Sequence, residues 1–178
     1  MKFIDRRYDL AVIFRDKGYK VGAEIGVAGA RYSECLCQVI PGLKLYCVDT
    51  WQRYPGNRRG GLQKQHDDNY ELAQKRLAPF DATLIKKFSM DAVKDFADGS
   101  LDFVYIDANH DFDFVMEDII NWAKKVKKGG MVSGHDYYQF HHSGVVEAVD
   151  AYVKTHNLEL GLTSHRHDNG ERSWFFEV

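Results

Sequence analysis

The stretch Leu101-Asp-Phe-Val-Tyr-Ile-Asp107 is apolar at nearly every position, and Phe112, Val115, Ile119, Trp122 and Val126 follow it at helical spacing. A strand with so little polar character must be covered on both faces, and a helix with one apolar stripe is what covers it. The same unit recurs along the chain. Residues 5–17 read as a helix on Leu10, Ile13 and Phe14, stopped by Gly18, and Val21–Val27 as a strand. Residues 31–40 read as a helix closed by Pro41-Gly42, and Lys44–Asp49 as a strand. After a polar loop over 51–65, residues 66–80 form a helix on Tyr70, Ala73, Leu77 and Phe80, and Thr83–Phe88 a strand. Gly129-Gly130 breaks the helix after residue 112, Met131–His135 forms a fifth strand, and residues 143–156 a helix on Val145, Val149, Tyr152 and Val153. Two last strands, Leu158–Thr163 and Ser173–Val178, flank Asp168-Asn169-Gly170, which suits a hairpin turn. Strands alternating with helices predict an α/β, doubly wound, Rossmann-like fold: a mostly parallel seven-stranded sheet with a C-terminal antiparallel hairpin and helices on both faces.

With 178 residues, no repeat and no linker-like stretch, a single domain over 1–178 is expected, with 1–18 an N-terminal helix. Lys and Arg number 24 against 26 Asp and Glu, a net charge of −2, which argues against nucleic acid as a partner. No run approaches the ~18 apolar residues of a membrane span, and Met-Lys-Phe-Ile-Asp-Arg-Arg turns charged too early for a signal peptide. Three cysteines make an odd count, so Cys35, Cys37 and the remaining Cys47 read as free core thiols in a reducing, cytoplasmic setting.

In open sheets of this kind ligands bind beyond the carboxyl ends of the strands. The segments to read are therefore Glu24–Gly29, Asp49–Trp51, Ser89–Asp91, Asp107–His110 and Gly134–Tyr137. Acids stand at four neighbouring strand ends: Glu24, Asp49, Asp107 and Asp136. Converging carboxylates repel unless a cation or donor groups sit among them. Gly26 and Gly29 let the backbone of the first loop approach a ligand, although the loop is neither Gly-x-Gly-x-x-Gly nor a P-loop. Asp49 follows Glu24 by 25 residues, where a dinucleotide fold places its ribose-binding acid. Trp51 beside it either covers an adenine face or packs as a core or rim aromatic. His135, His141 and His142 read as a polar rim or, without a recognised ligand spacing, a transition-metal site. The Gly- and Arg-rich stretch Arg53–Gly61 is either a solvated loop or a mobile lid over an anionic or sugar-like acceptor.

Taken in order, Ala23-Glu-Ile-Gly-Val27, Tyr46-Cys-Val-Asp-Thr-Trp51, Ser100-Leu-Asp-Phe-Val-Tyr-Ile-Asp-Ala-Asn-His110, Gly129-Gly130 and Gly134-His-Asp-Tyr137 resemble the class I S-adenosylmethionine-dependent methyltransferases. The similarity is to the small catechol O-methyltransferase-like and macrocin O-methyltransferase-like branch, and spans about residues 20–178. One departure is Ala30, where the family commonly has Gly. The resemblance implies S-adenosylmethionine as cofactor, with Glu24, Gly26 and Gly29 toward its amino-acid end and Asp49 on the ribose hydroxyls. Ser89, Met90 and Asp91 would lie near the adenine, Trp51 over its face, and Asp107 beside the sulfonium. His110 stands at the position of the base. Asp107 and Asp136 would be the ligands of a divalent ion such as Mg²⁺, although Tyr137 stands where metal-dependent relatives carry a third Asp or Asn. The implied activity is O-methylation of a small-molecule or glycan-like hydroxyl. A same-fold hydroxylase-like enzyme and a cofactor-binding module that needs a partner are the alternatives. A domain this small has no separate acceptor domain. Acceptor recognition is expected from residues 53–61, the N-terminal helix, residues 137–144, or a second subunit of a homodimer.

Overall fold

The computed structural model describes residues 7–55, 61–139, 143–163 and 172–178. Its strands are β1 (Val21–Ile25), β2 (Lys44–Asp49), β3 (Ala82–Lys86), β4 (Leu101–Ile106), β5 (Val126–Gly134), β6 (Gly161–Leu162) and β7 (Trp174–Glu177). They form one seven-stranded sheet in the order β3-β2-β1-β4-β5-β7-β6. The first five run parallel; β7 pairs antiparallel with both β5 and β6, as the closing pair of strands predicted. The hairpin turn expected at Asp168-Asn169-Gly170 lies outside the described residues. The helices are α1 (Tyr8–Asp16), α2 (Arg31–Val39), α3 (Gln63–Leu77), α4 (Ser89–Ala92, continued by a 3-10 turn over Val93–Asp95), α5 (Phe112–Ala123) and α6 (Val145–His156).

Successive side chains of a strand point to opposite faces, and β4 shows what that does here. Phe103 and Tyr105 enter one core with Leu10 and Phe14 of α1, Tyr32 and Leu36 of α2, and Leu45 of β2. Val104 and Ile106 enter the other, with Val115, Ile119 and Trp122 of α5 and Val149 of α6, joined by Leu101 across the register shift between it and Phe103. Both faces of the central strand are thus sealed, and only its ends are open to a ligand.

Several boundaries differ from expectation, and the strand expected over Leu158–Thr163 is only Gly161–Leu162. The helix over 66–80 begins at Gln63 and ends at Leu77. α5 stops at Ala123, and Phe112 at its start is exposed rather than part of the buried stripe. β5 begins at Val126, well before Met131, because it starts twice: Leu101 pairs with Val126 and Phe103 with Met131, so residues 127–130 bulge out between them. Gly129, at φ +77°, supplies the left-handed turn of that bulge, and its carbonyl accepts the Tyr19 hydroxyl at 3.0 Å. The glycine pair thus shapes a strand instead of merely ending a helix. Cys35, Cys37 and Cys47 are buried and in no disulfide among the described residues, and burial pushes the Cys37 thiol up to about 12. Among the described residues no helix is long and apolar enough to cross a membrane.

Candidate active site

The carboxyl ends of β1, β2 and β4, with α4 and α5, enclose a cleft of about 610 Å³. A second cavity of about 500 Å³ lies beside it, and the two share Gly26, Ala28, Asn69 and Asp107. The loop after β1 is therefore a partition with a cavity on either side. Gly26, at φ +91°, is indispensable in it: a Cβ there would lie 2.1 Å from the Asp107 carbonyl oxygen. The close approach expected of this glycine is to the end of β4, and it holds the first loop against Asp107.

Asp49 fastens the same loop to β2. Its Oδ2 accepts the N–H groups of Val27 and Ala28, both at 2.9 Å, and its Oδ1 accepts that of Trp51 at 2.8 Å. Trp51 is buried, its indole N–H donates to the Ala28 carbonyl at 2.9 Å, and its ring packs on Tyr70 at 4.8 Å between centroids. It forms a wall of the cleft with its polar edge already engaged. Four non-glycine residues here have positive φ: Ala28, Ala30, Trp51 and Asp136. Such backbone costs of order 1–3 kcal/mol per residue and gathers where a site over-determines its geometry. Ala30 takes the left-handed conformation at φ 58°, which a glycine would adopt freely.

Asp107 lines both cavities, and His110 and Asp136 converge on it, with a ligating atom from each of the three within 4.8 Å of the others. His110 Nε2 lies 2.8 Å from Asp136 Oδ2 and 3.6 Å from Asp107 Oδ1. Burial works to lower the His110 pKa, but the two carboxylates overcome it and raise it to about 9. This shift favours the imidazolium form of the ring at neutral pH. Burial works to raise the Asp136 carboxyl; His110, and His135 with Nδ1 at 3.1 Å, hold it well below the usual carboxylate range. The repulsion expected among the acids is therefore answered by the chain's own cations. Arg7 completes the set, with Nη1 2.8 Å from Asp107 Oδ2 and its guanidinium stacked 4.6 Å from the Tyr32 ring. Tyr137 turns away and donates to Asp150 at 2.7 Å.

At the far end of the larger cleft, Ser89 and Met90 line the wall. Asp91 does not reach it: it is exposed and pairs with Lys94 at 2.8 Å. The acid at this end is Asp118 of α5, buried and bonded to the Ser89 hydroxyl. Its signal in the sequence was a carboxylate on the apolar stripe of a helix, between Val115 and Trp122. Glu24 is buried under the smaller cavity and accepts the Ser33 hydroxyl. Gly29, Arg7, Arg31, Tyr32 and Arg76 surround the same cavity. The Tyr32 hydroxyl is fully buried without a hydrogen-bond partner among the described residues. Residues 56–60 of the proposed lid, and His141 and His142, lie outside the described residues; Tyr54 and Pro55 line the cleft.

A family model described as a methyltransferase domain matches residues 23–137. The chain belongs to that family. The match runs from the strand carrying Glu24 to Tyr137, so it contains Glu24, Asp49, Asp107, His110, Asp118 and Asp136 but not Arg7. Among solved structures, the O-methyltransferase of Bacillus cereus in complex with SAH is similar over 99% of this chain and 83% of its own, at 11% identity and a TM-score of 0.71. TomG of Streptomyces achromogenes, an O-methyltransferase of tomaymycin synthesis solved with SAM, is similar over 99% and 82%, at 15% identity and a TM-score of 0.70. At these identities the likeness establishes the shared fold. A protein of Sinorhizobium fredii, y4gI, is 27% identical over 106 residues, covering 57% of this chain and 11% of that protein.

Proposed function

We propose that this methyltransferase-family chain is an S-adenosylmethionine-dependent O-methyltransferase acting on a small-molecule or glycan-like hydroxyl. The observation that carries the proposal is a pair of adjoining cavities that meet at Asp107, the residue on which His110 and Asp136 converge, and that suit the two ends of such a donor. The larger cleft offers Asp49 for a ribose and the Ser89–Met90 wall for an adenine. The smaller one offers an orphan phenol, three guanidinium groups and the buried Glu24, a set that suits an amino-acid group.

The donor, when bound, would supply a sulfonium methyl group: an O–CH3 bond would form in line as the S–CH3 bond breaks, with the neutral thioether S-adenosylhomocysteine as leaving group. The chain must orient the acceptor oxygen and take its proton. His110 is the group for the proton. Its ring rests charged between two carboxylates, so it must first give its own proton to solvent, and turnover rises with pH toward about 9. Asp136 fixes the ring, and Asp107 places negative charge beside the reacting centre.

Mg²⁺ fits this cluster poorly. It prefers near-octahedral oxygen ligands, whereas the third donor is an imidazole and Tyr137 points elsewhere. Each carboxylate also has a cationic partner already, Arg7 on Asp107 and His135 on Asp136. The proton chemistry therefore runs on these side chains, and a chelator leaves turnover unchanged. The buried thiols suit a reducing compartment such as the cytoplasm.

The test is incubation with methyl-labelled S-adenosylmethionine and a panel of hydroxylated small molecules and oligosaccharides. Label transferred to oxygen with equal release of S-adenosylhomocysteine is the expected result. A chain that binds the donor but transfers no label to any acceptor contradicts the proposal.

A further inference from the structure

The buried carboxyl of Asp118 is not needed by the chemistry above, and a helix stripe facing Val115, Ile119 and Trp122 has no use for a charge. Asp118 is 4% exposed, yet it lines the 610 Å³ cleft together with Phe88, Ser89 and Met90. A carboxylate buried without a counter-charge is among the costliest groups a core can hold. Among the described residues no cation pairs with it. Two donors are lined up behind it instead: the Trp122 indole N–H donates to the Ser89 hydroxyl at 2.8 Å, and that hydroxyl donates to Asp118 Oδ1. The relay fixes which way the carboxyl faces and occupies one lone pair of Oδ1, leaving Oδ2 for the cleft.

We propose that Asp118, oriented by Ser89 and Trp122, is the specificity-determining group of this cleft and reads the Watson–Crick edge of an adenine ring. The inference rests on the reading of the cleft as the site of an S-adenosyl donor. The adenine edge presents an acceptor at N1 beside a donor, the 6-amino group. A neutral carboxyl matches it with two bonds. Oδ2–H donates to N1, and the second lone pair of Oδ1 accepts from the amino group. Burial, opposed only by the Ser89 hydrogen bond and helped by the neighbouring Glu117, raises the Asp118 carboxyl to about 7, so the protonated form is available. A hypoxanthine ring reverses both groups, with a donor at N1 and an acceptor at position 6. A side chain built for adenine therefore rejects it.

The experiment is calorimetric titration of the purified full chain with S-adenosylhomocysteine and with S-inosylhomocysteine, its hypoxanthine counterpart. The wild type should prefer the adenine ligand by about 10- to 100-fold, the worth of one bidentate pair. Asp118→Asn, which keeps one acceptor and one donor in the same places, should retain that preference. Asp118→Leu, which suits the surrounding stripe, should reduce it to within about 2-fold, and Asp118→Ala gives the same reading if the leucine variant does not fold. A Leu or Ala variant that discriminates as the wild type does overturns the proposal and leaves Asp118 as a mere support for Ser89. Loss of the preference in Asp118→Asn overturns the donor–acceptor pairing. If the wild type binds neither ligand, the donor site itself is wrong, which the comparison separates from a failure at Asp118.

Discussion

Ala28 donates its backbone N–H to Asp49 Oδ2 at 2.9 Å, and its carbonyl accepts the indole N–H of Trp51, two residues beyond Asp49, at the same distance. The strand-ending acid and the aromatic beside it therefore clamp the first loop through the two peptide units that flank one residue. The acid expected to meet a ribose also builds the wall the ribose would lie on.

Asp49→Ala should accordingly lose stability and ligand affinity together. Removing charge-assisted bonds to three backbone donors costs about 1.5–3 kcal/mol in unfolding free energy, read by urea denaturation. Affinity for S-adenosylhomocysteine should fall about 10- to 150-fold in the same variant. Unchanged affinity in a folded Asp49→Ala protein removes this strand end from the binding site.

Ala28 is exposed with φ 46°, so its methyl group pays a conformational cost and packs against little. Ala28→Gly should raise stability by about 0.5–1 kcal/mol, the left-handed strain outweighing the added freedom of the unfolded chain. A melting curve should move up by about 1–4 °C. A lower melting temperature means that the loop does not hold this conformation.

Asp118 gives stability a pH dependence of definite sign. Its folded pKa, about 7, lies above the unfolded value near ~3.9. Its contribution is fully present below pH ~4 and is lost as pH rises through 7, by an amount on the order of 4 kcal/mol at most. Urea unfolding at pH 5 and pH 8 should show wild type losing more stability over this interval than Asp118→Asn. The difference between the two proteins isolates this group from the histidines. Equal losses in both mean that the carboxyl is ionised in the folded chain.

His110→Ala should reduce turnover on the true acceptor by about 10²- to 10⁴-fold while leaving donor affinity nearly unchanged, because the base acts on the acceptor. Chelator treatment of the wild type should leave its rate intact. A chelator-sensitive rate restored by Mg²⁺ shows instead that Asp107 and Asp136 hold an ion.

The layer order and the antiparallel last strand were legible because each strand was a short apolar run bounded by turns, and each helix an apolar stripe. Phe103 and Val104 announce a strand buried on both faces without any help from neighbours. Gly129-Gly130 misled because a glycine pair ends a helix and makes a bulge with equal ease. Only the pairing of Leu101 with Val126 decides between them. Acids at strand ends were visible one at a time; their partners were not. Arg7 lies 100 residues before Asp107, and nothing local marks it as that carboxylate's cation. Asp91 and Asp118 show the same limit. The first stands in the expected segment and faces solvent, while the second stands on an apolar stripe and faces the cleft. The pKa of His110 could not be read from its own position, since it is set by carboxylates from two strand ends.

The account turns on whether the cleft holds an S-adenosyl ligand, and calorimetric titration of the purified chain with S-adenosylhomocysteine measures that directly. One saturable site per chain, weakened in Asp49→Ala, is the result expected. No heat of binding and no shift in melting temperature at millimolar ligand, from a protein that is folded, would contradict it.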